Sequence, residues 1–477
     1  MKNLFILFLP LCLFFSCQNA EKTTSSTADL TTKTNTKTVK ISGTIENPVS
    51  ETASIRVGEN THEAKVADGK FVLEFELDQP QTVTFSHGNE RGTLYLEPSD
   101  DVTLTLNPEQ FDETLKLGGK GAEESNYLLA KYLLNEKYDE QAEEIYTLSP
   151  TDFAAKVDAI KAENEAHLAK YTKAHNNMNA DFLKNEKASI RYKWASDKIN
   201  YPSYFEYFAK KKAPDLGDDY YAFMEKIDLN NEVDFENNSA YARLVKSYLN
   251  SQTEGAGKGV APLASMFEIV NKKIKSNKIK EGILFSTLSS FISFNDVAGV
   301  KKYLDEYNSF STNDENKEKI AELYAIALVL QKGKPAPNFT YQNVKGEMVS
   351  LESLKGKNVY VDVWATWCGP CKREIPHLKK LEEQFHNNNN IAFVSVSIDK
   401  LEDTDKWLKM VEDKELSGIQ LMADKAWKSS ICKDYAINGI PRFLLIDKNG
   451  NIFDKDAPRP SSKGIKEILL AMDNSRH

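Results

Sequence analysis

The chain has 477 residues, of which 41% are hydrophobic and 27% charged, and its formal net charge is -9 at pH 7. Because a typical domain has roughly 100–150 residues, several domains are expected, and the ordinary composition excludes a chain dominated by low complexity or membrane spans. The negative charge gives no overall basic field for a polyanion, so no nucleic-acid partner is predicted.

Residues 1–17 have the pattern of an export signal. Lys2 gives a positive start, and the apolar run from Leu4 to Phe15 precedes Ser16 and Cys17. This run is shorter than the roughly 20 apolar residues that a transmembrane helix requires, but it suits the core of a signal peptide. The sequence therefore predicts secretion.

The end of this signal resembles a bacterial lipobox, in which the cysteine is lipidated and begins the mature protein. Three residues before the cysteine, this chain has Phe14 where the lipobox usually has a branched aliphatic residue. The ending Phe-Phe-Ser-Cys is nevertheless similar to those of Bacteroidota lipoproteins. The resemblance implies lipidation of Cys17; the alternative is an ordinary signal peptide, with which Cys17 is discarded.

Residues 18–38 are rich in Thr, Ser and Lys and are predicted to be a flexible linker. Surface lipoproteins of the Bacteroidota carry an acidic cluster just after the cysteine, whereas this chain has only Glu21 there. The resemblance therefore favours a lipid anchor facing the periplasm over surface exposure, and the outer membrane over the inner.

Residues 39–120 show the alternation of buried β-strands. Phe71, Leu73 and Phe75 are expected to face one side, and the intervening polar residues the other. Short apolar runs separated by turn-forming residues predict a small β sandwich. The segment resembles the β-rich domain of unknown function that precedes thioredoxin-like domains in many Bacteroidota lipoproteins.

Residues 121–332 are rich in Ala, Leu, Lys and Glu with helical spacing, and predict a helical domain. One helix start is explicit, because Ser149 has the position of a cap, Pro150 that of the first helical residue, and Asp152 that of a capping-box acid. Aromatic clusters in this region are interpreted as helix-to-helix packing, with a groove for a peptide or glycan as the alternative.

A glycine- and proline-containing break at 332–337 marks the start of a last domain, residues 333–477. A buried-strand pattern over 359–364 leads to Cys368-Gly369-Pro370-Cys371, which opens a predicted helix. Since a helix N-terminus favours a thiolate, the pKa of Cys368 is expected below its usual value of about 8.5. Cys368 is the predicted nucleophile, and Cys371, one turn deeper, is expected to resolve the mixed disulfide.

Cysteine usage supports this interpretation. Removal of the signal eliminates Cys12 and leaves Cys368, Cys371 and Cys432 besides Cys17. No structural disulfide framework is predicted, and the Cys-x-x-Cys pair of an exported chain is expected to be a redox-active disulfide.

The run from Trp364 to Pro376, Trp-Ala-Thr-Trp-Cys-Gly-Pro-Cys-Lys-Arg-Glu-Ile-Pro, resembles thioredoxin and is similar to the exported TlpA/ResA-like branch. The resemblance implies that Asp362 relays the proton of the inner cysteine and that Glu374 tunes cysteine reactivity. The branch usually has Asn where this chain has Asp362. With both carboxylates present, the assignment of the relay stays open between them.

A second motif, Ile-Asn-Gly-Ile-Pro at 437–441, is similar to the cis-proline loop of the same family, in which the main chain before the proline pairs with an extended substrate segment. The two motifs together imply a substrate-binding surface. It comprises Trp367, Gly369, Pro370, Ile440 and Pro441.

The cysteines are less compatible with two other chemistries, a structural zinc site and peroxide reduction. A structural zinc needs four ligands and only Cys432 remains, so no metal site is predicted. A predicted hairpin at 339–354 resembles peroxide-reducing relatives, which leaves peroxidase activity as an alternative, although Ala365 replaces their threonine. Cys432 is interpreted as a buried inert thiol, with a resolving or regulatory role as the alternative.

The predicted fold class is multidomain α+β: an N-terminal β sandwich, a helical middle and a C-terminal thioredoxin-like α/β domain. Gly-Pro between the cysteines matches thioredoxin, whose reduction potential is about -270 mV, so the chain is predicted to reduce disulfides of exported proteins. No cofactor is predicted, and the resemblance implies a membrane thiol transporter of the DsbD/CcdA kind as electron donor. The alternative is a lipoprotein that binds a peptide, glycan or protein, with secondary redox or peroxidase activity.

Overall fold

The computed structural model describes residues 37–474 except 59, 254–256 and 258. The predicted signal peptide, Cys17 and residues 18–36 of the predicted linker lie outside the described residues. The chain separates into two compact units that divide between Leu133 and Leu134. Within the described ranges, no helix is both long enough and apolar enough to cross a membrane.

The first unit contains two four-stranded sheets whose apolar side chains share one core, as predicted. Strand β4 (Lys70–Glu76) shows why this core forms, because its buried and exposed residues alternate without interruption. The sheet orders are β4-β1-β7-β8 and β3-β2-β5-β6. The strands are β1 (Thr38–Ile45), β2 (Thr52–Val57), β3 (Asn60–Lys65), β4 (Lys70–Glu76), β5 (Gln81–His87), β6 (Glu90–Leu96), β7 (Asp101–Leu106) and β8 (Lys116–Lys120).

The middle of the chain is helical, as predicted. Ser149 caps helix α4 (Pro150–Ala174) by accepting a 3.2 Å hydrogen bond from the Asp152 amide, and its hydroxyl donates to the Asp152 carboxylate at 2.7 Å. The first eleven helices are α1 (Phe111–Thr114), α2 (Ala122–Glu140), α3 (Ala142–Tyr146), α4 (Pro150–Ala174), α5 (Ala180–Ala209), α6 (Glu232–Asn237), α7 (Ser239–Ser251), α8 (Ala261–Lys273), α9 (Asn277–Phe294), α10 (Lys301–Phe310) and α11 (Asp314–Val329).

The C-terminal domain is a seven-stranded mixed sheet with helices, in the order β10-β9-β13-β12-β11-β14-β15. Strand β11 is buried along its whole length, parallel to β12 and antiparallel to β14. The elements are β9 (Thr340–Asn343), β10 (Met348–Ser350), β11 (Asn358–Trp364), α12 (Gly369–Gln384), β12 (Ile391–Ser397), α13 (Thr404–Asp413), β13 (Ile419–Met422), α14 (Ser430–Asp434), β14 (Arg442–Ile446), β15 (Ile452–Asp454) and α15 (Ile465–Asn474).

The end of helix α9 contacts the β14–β15 edge of this sheet. Arg442 donates from Nη2 to the Ser293 carbonyl at 2.8 Å, and Lys455 donates to the Ile292 carbonyl at 2.7 Å. The guanidinium of Arg442 also lies 4.6 Å from the ring centroid of Phe294. Both cations thus pair with the last carbonyls of the helix, where the dipole is negative. This contact joins the helical region to the residue that follows Pro441.

We expect Arg442→Ala to lower the free energy of unfolding by about 2–4 kcal/mol, because it strips a buried carbonyl and a carboxylate of their donor. Arg442 is only 3% exposed and also pairs with Asp456 at 2.6 Å. Urea unfolding measures the change. Arg459→Ala is the matched control, since the Arg459 side chain is 55% exposed; an equal effect of the two variants would contradict the structural role of Arg442.

Candidate active site

The strand-to-helix connection places Cys368 at the start of a long helix. Cys368 is the N-cap of α12, and its Sγ accepts a hydrogen bond from the Cys371 amide at 3.1 Å. Gly369 and Pro370 occupy the first turn, where proline is tolerated because its missing N–H has no intrahelical partner. A negative sulfur at this position is stabilised both by the amide and by the positive end of the helix dipole.

Cys368 and Cys371 form a disulfide in the structure, with their Cα atoms 5.3 Å apart. The two side chains are 4% and 3% exposed. Trp367, by contrast, is 48% exposed, and its ring centroid lies 6.2 Å from that of Trp427. The cysteine pair therefore lies just beneath a surface that carries an exposed aromatic side chain.

Asp399, which was not among the residues predicted from the sequence, holds the turn before the cysteines. Its carboxylate accepts hydrogen bonds from the Thr366 amide at 2.9 Å and from the Thr366 hydroxyl at 2.7 Å. Ser397 donates a further 2.6 Å bond to this fully buried carboxylate. Its position in the sequence could have indicated this role. Asp399 follows β12, and the carboxyl ends of parallel neighbouring strands such as β11 and β12 lie at the same edge of a sheet.

The peptide bond between Ile440 and Pro441 is cis. Because β14 runs antiparallel to β11, its first residue, Arg442, pairs with Val363 near the end of β11. The cis-proline loop is thereby brought to the sheet edge from which the cysteine motif departs. Ile440 and Pro441 are both half-buried, so part of each faces solvent beside the motif.

Asp362 is a buried carboxylate on β11, the strand that leads to the motif. It is 9% exposed, and within the described part of the chain its Oδ1 has no hydrogen-bond partner. Burial, followed by the charges of Glu382 and Glu374, raises its pKa from 3.8 to about 8. A carboxyl with this pKa exchanges a proton near the pH at which thiols do.

The carboxylate of Glu374, the other candidate for the proton relay, has hydrogen-bond partners of its own. Its carboxylate accepts hydrogen bonds from the Ser461 amide and hydroxyl, both at 3.0 Å, and Arg459 lies 4.0 Å away. These contacts fasten α12 to the segment before α15. The two carboxylates therefore have different surroundings in the structure, whereas the sequence did not distinguish their roles.

Cys432 lies in α14 and is 3% exposed. Burial raises the pKa of its thiol, which disfavours the reactive thiolate at neutral pH. It packs in the same apolar core as Trp407 and Tyr435. This environment agrees with the interpretation of a buried structural thiol.

Comparison with known proteins finds similarity in the C-terminal domain. The Redoxin family model matches residues 331–469. The thioredoxin-like protein YneN of Bacillus subtilis is 32% identical over 140 residues, 29% of this chain and 79% of YneN. The thiol-disulfide oxidoreductase ResA of Bacillus cereus is 32% identical over 126 residues, 26% of this chain and 69% of ResA. A solved thiol-disulfide oxidoreductase from Bacteroides fragilis is 29% identical and covers 28% of this chain and 100% of its own, with a TM-score of 0.26.

Proposed function

We propose that this chain, which belongs through its C-terminal domain to the ResA/TlpA-like thiol-disulfide oxidoreductases, reduces disulfides of exported proteins in the cell envelope. The observation that carries the proposal is the position of Cys368. Its sulfur caps α12, is bonded to Cys371, and lies at the sheet edge that also holds the cis Ile440-Pro441 peptide.

The first step is attack by the Cys368 thiolate on a substrate disulfide. A bond forms between Cys368 and one substrate sulfur, and the other substrate sulfur leaves as a thiolate. The helix N-terminus stabilises the attacking thiolate. Trp367, Gly369, Pro370 and the Ile440-Pro441 main chain form the surface on which the substrate segment lies.

The second step is attack by Cys371 on the Sγ of Cys368. Asp362 takes the proton from the Cys371 thiol, and the resulting thiolate forms the intramolecular disulfide while the second substrate thiolate leaves. Two electrons pass from the cysteine pair to the substrate, which becomes a dithiol. Glu374 supports the geometry of α12 through its bonds to Ser461.

The oxidised pair must then be reduced again. We assign this step to a membrane thiol transporter of the DsbD/CcdA kind, because the chain shows no nicotinamide or flavin motif of the Gly-x-Gly-x-x-Gly type. A lipid anchor on Cys17 in the outer membrane, facing the periplasm, would hold the domains in the compartment of their substrates. The signal-like sequence of residues 1–17 supports this part of the proposal.

We expect the Cys368/Cys371 pair to have a midpoint potential near that of thioredoxin, about -270 mV. The measurement is a titration of protein lacking residues 1–17 against a dithiol buffer, with Cys432→Ala as the control that keeps the pair intact. A potential near the roughly -120 mV of a strong periplasmic oxidant would reverse the direction of electron flow, and the absence of a titrating pair would contradict the proposal.

A further inference from the structure

A small cleft lies behind the cysteine motif, between the sheet and helix α12. Its lining includes Asp362 and Trp364 of β11, Glu382 of α12, and Gln420 of β13, with Ser417 at one end. Every one of the first four side chains is at least nine-tenths buried. The cleft is thus a small space inside the domain where buried polar side chains meet apolar ones such as Leu378, and Asp362 and Glu382 are the acids among the described residues that line it.

Each of these four buried side chains presents an atom without a partner among the described residues: Asp362 Oδ1, Trp364 Nε1, Glu382 Oε1 and Gln420 Oε1. An unsatisfied buried polar atom costs about 1–3 kcal/mol, and four beside one cleft would be a heavy penalty. Ordered water is the usual solution where several such atoms lie beside one cleft, since one molecule bonds to two to four polar groups. The cleft therefore has the chemistry of a water site that links Asp362 to Glu382.

Glu382 also reaches toward the surface. Its Oε2 accepts a hydrogen bond from the hydroxyl of Ser417, an exposed residue. Lys379, one turn earlier on α12, lies at the cleft with its side chain 39% exposed. Glu382 thus lies between the buried acid Asp362 and the exposed residue Ser417, which contacts solvent.

We propose that Glu382, with cleft water and Ser417, carries protons between Asp362 and solvent. The inference rests on the proposed function, in which Asp362 accepts the proton of Cys371. That proton then passes to Glu382 through water and leaves past Ser417, while the released substrate thiolate takes its own proton from bulk water. No electrons move in this path, so the redox step stays balanced.

The charges around the path agree with proton exchange. The charges of Glu382 and Glu374, both on α12, contribute to the raised pKa of Asp362. The charge of Asp362 in turn contributes to the raised pKa of Tyr360 on the same strand. The pKa of Glu382 is raised, because burial outweighs the opposing effects of the Ser417 hydrogen bond and the Lys379 charge. The strands opposite contribute neutral groups, Ser395 and Gln420. Protonation of one carboxyl therefore makes ionisation of the other easier.

The test is single-turnover reduction of a symmetric aromatic disulfide by the reduced protein lacking residues 1–17. One coloured thiolate is released when Cys368 attacks and the second when Cys371 resolves, so the two steps are read separately. In Glu382→Gln we expect the second phase to slow roughly tenfold and to lose its pH dependence, with the first phase unchanged. Glu383→Gln, at the exposed neighbouring position, is the matched control.

Ser417→Ala provides a second variant, because it removes the hydrogen-bond donor to Glu382 and changes only an exposed side chain. We expect it to slow the same phase by a smaller factor. If Glu382→Gln and Ser417→Ala both behave as the wild type while Asp362→Asn slows the second phase, the relay is overturned and the proposed function stands. If Asp362→Asn also leaves that phase unchanged, the role of Asp362 in the proposed function fails with it.

Discussion

Cys368→Ser is expected to reduce turnover of protein disulfides to the uncatalysed background, a loss of roughly a thousandfold or more, because a serine hydroxyl does not replace the thiolate in exchange. Cys371→Ser is expected to stop at a different point. Cys368 still caps α12 in that variant and still attacks, but the mixed disulfide persists since no second thiol resolves it. The two substitutions thus separate attack from resolution.

Turnover is measured with a protein disulfide and a reducing partner, and the trapped species by non-reducing electrophoresis and mass spectrometry after expression of Cys371→Ser in a cell envelope. Cys432→Ala is the matched control, because Cys432 is the remaining cysteine among the described residues and lies buried. Trapped adducts that persist in Cys368→Ser/Cys371→Ser would show that another residue attacks. Discrete adducts lost in that double variant would identify the substrates.

Asp362→Asn is expected to stabilise the fold, increasingly so at higher pH. The folded pKa of Asp362 is about 8 against an ordinary 3.8, so between these values the unfolded chain has released the proton that the folded chain still holds. The unfolded state then binds fewer protons, and stability falls as pH rises, by up to about 1.4 kcal/mol per pH unit. Over the whole window the loss is on the order of 5 kcal/mol, and Asn, which does not ionise, removes it.

Urea unfolding of oxidised protein at several pH values between about 4 and 9 measures this slope. Asp413→Asn is the control, since Asp413 is an exposed carboxylate at the end of α13. The difference between Asp362→Asn and the wild type should grow with pH and level off above about pH 8. A difference that does not change with pH would mean that Asp362 ionises in the folded protein as it does in the unfolded chain.

The surroundings of the two predicted carboxylates bear on which of them moves a proton. Glu374 accepts two hydrogen bonds from Ser461 and lies 4.0 Å from Arg459, whereas Asp362 Oδ1 has no hydrogen-bond partner among the described residues and Asp362 lines the cleft behind the motif. A proton carrier needs a free oxygen and a route to water; Asp362 has the free oxygen, and Glu382 with Ser417 forms the route that we propose. This contrast is why the proposed mechanism gives the relay to Asp362 and a positioning role to Glu374.

Local patterns in the sequence were enough to predict the three kinds of structure in the chain and the pair of cysteines. Periodicity of two in β4, helical spacing after residue 121, and a buried strand running into Cys368 are local patterns, and local patterns report secondary structure. The spacing of Cys368 and Cys371 fixes their proximity, because residues one helical turn apart are neighbours. A thioredoxin-like family resemblance supplied the cis-proline loop.

Contacts between distant side chains became known from the folded structure. Asp399 bonds to Thr366 across 33 positions, Ser417 to Glu382 across 35, and Arg442 to the Ser293 carbonyl across 149. No periodicity encodes such pairs, since they depend on which strands are adjacent and on which side chains lose water together. Burial in turn decided the chemistry: the same carboxyl that is an ordinary acid in an unfolded chain becomes, at Asp362, a group that exchanges protons near neutral pH.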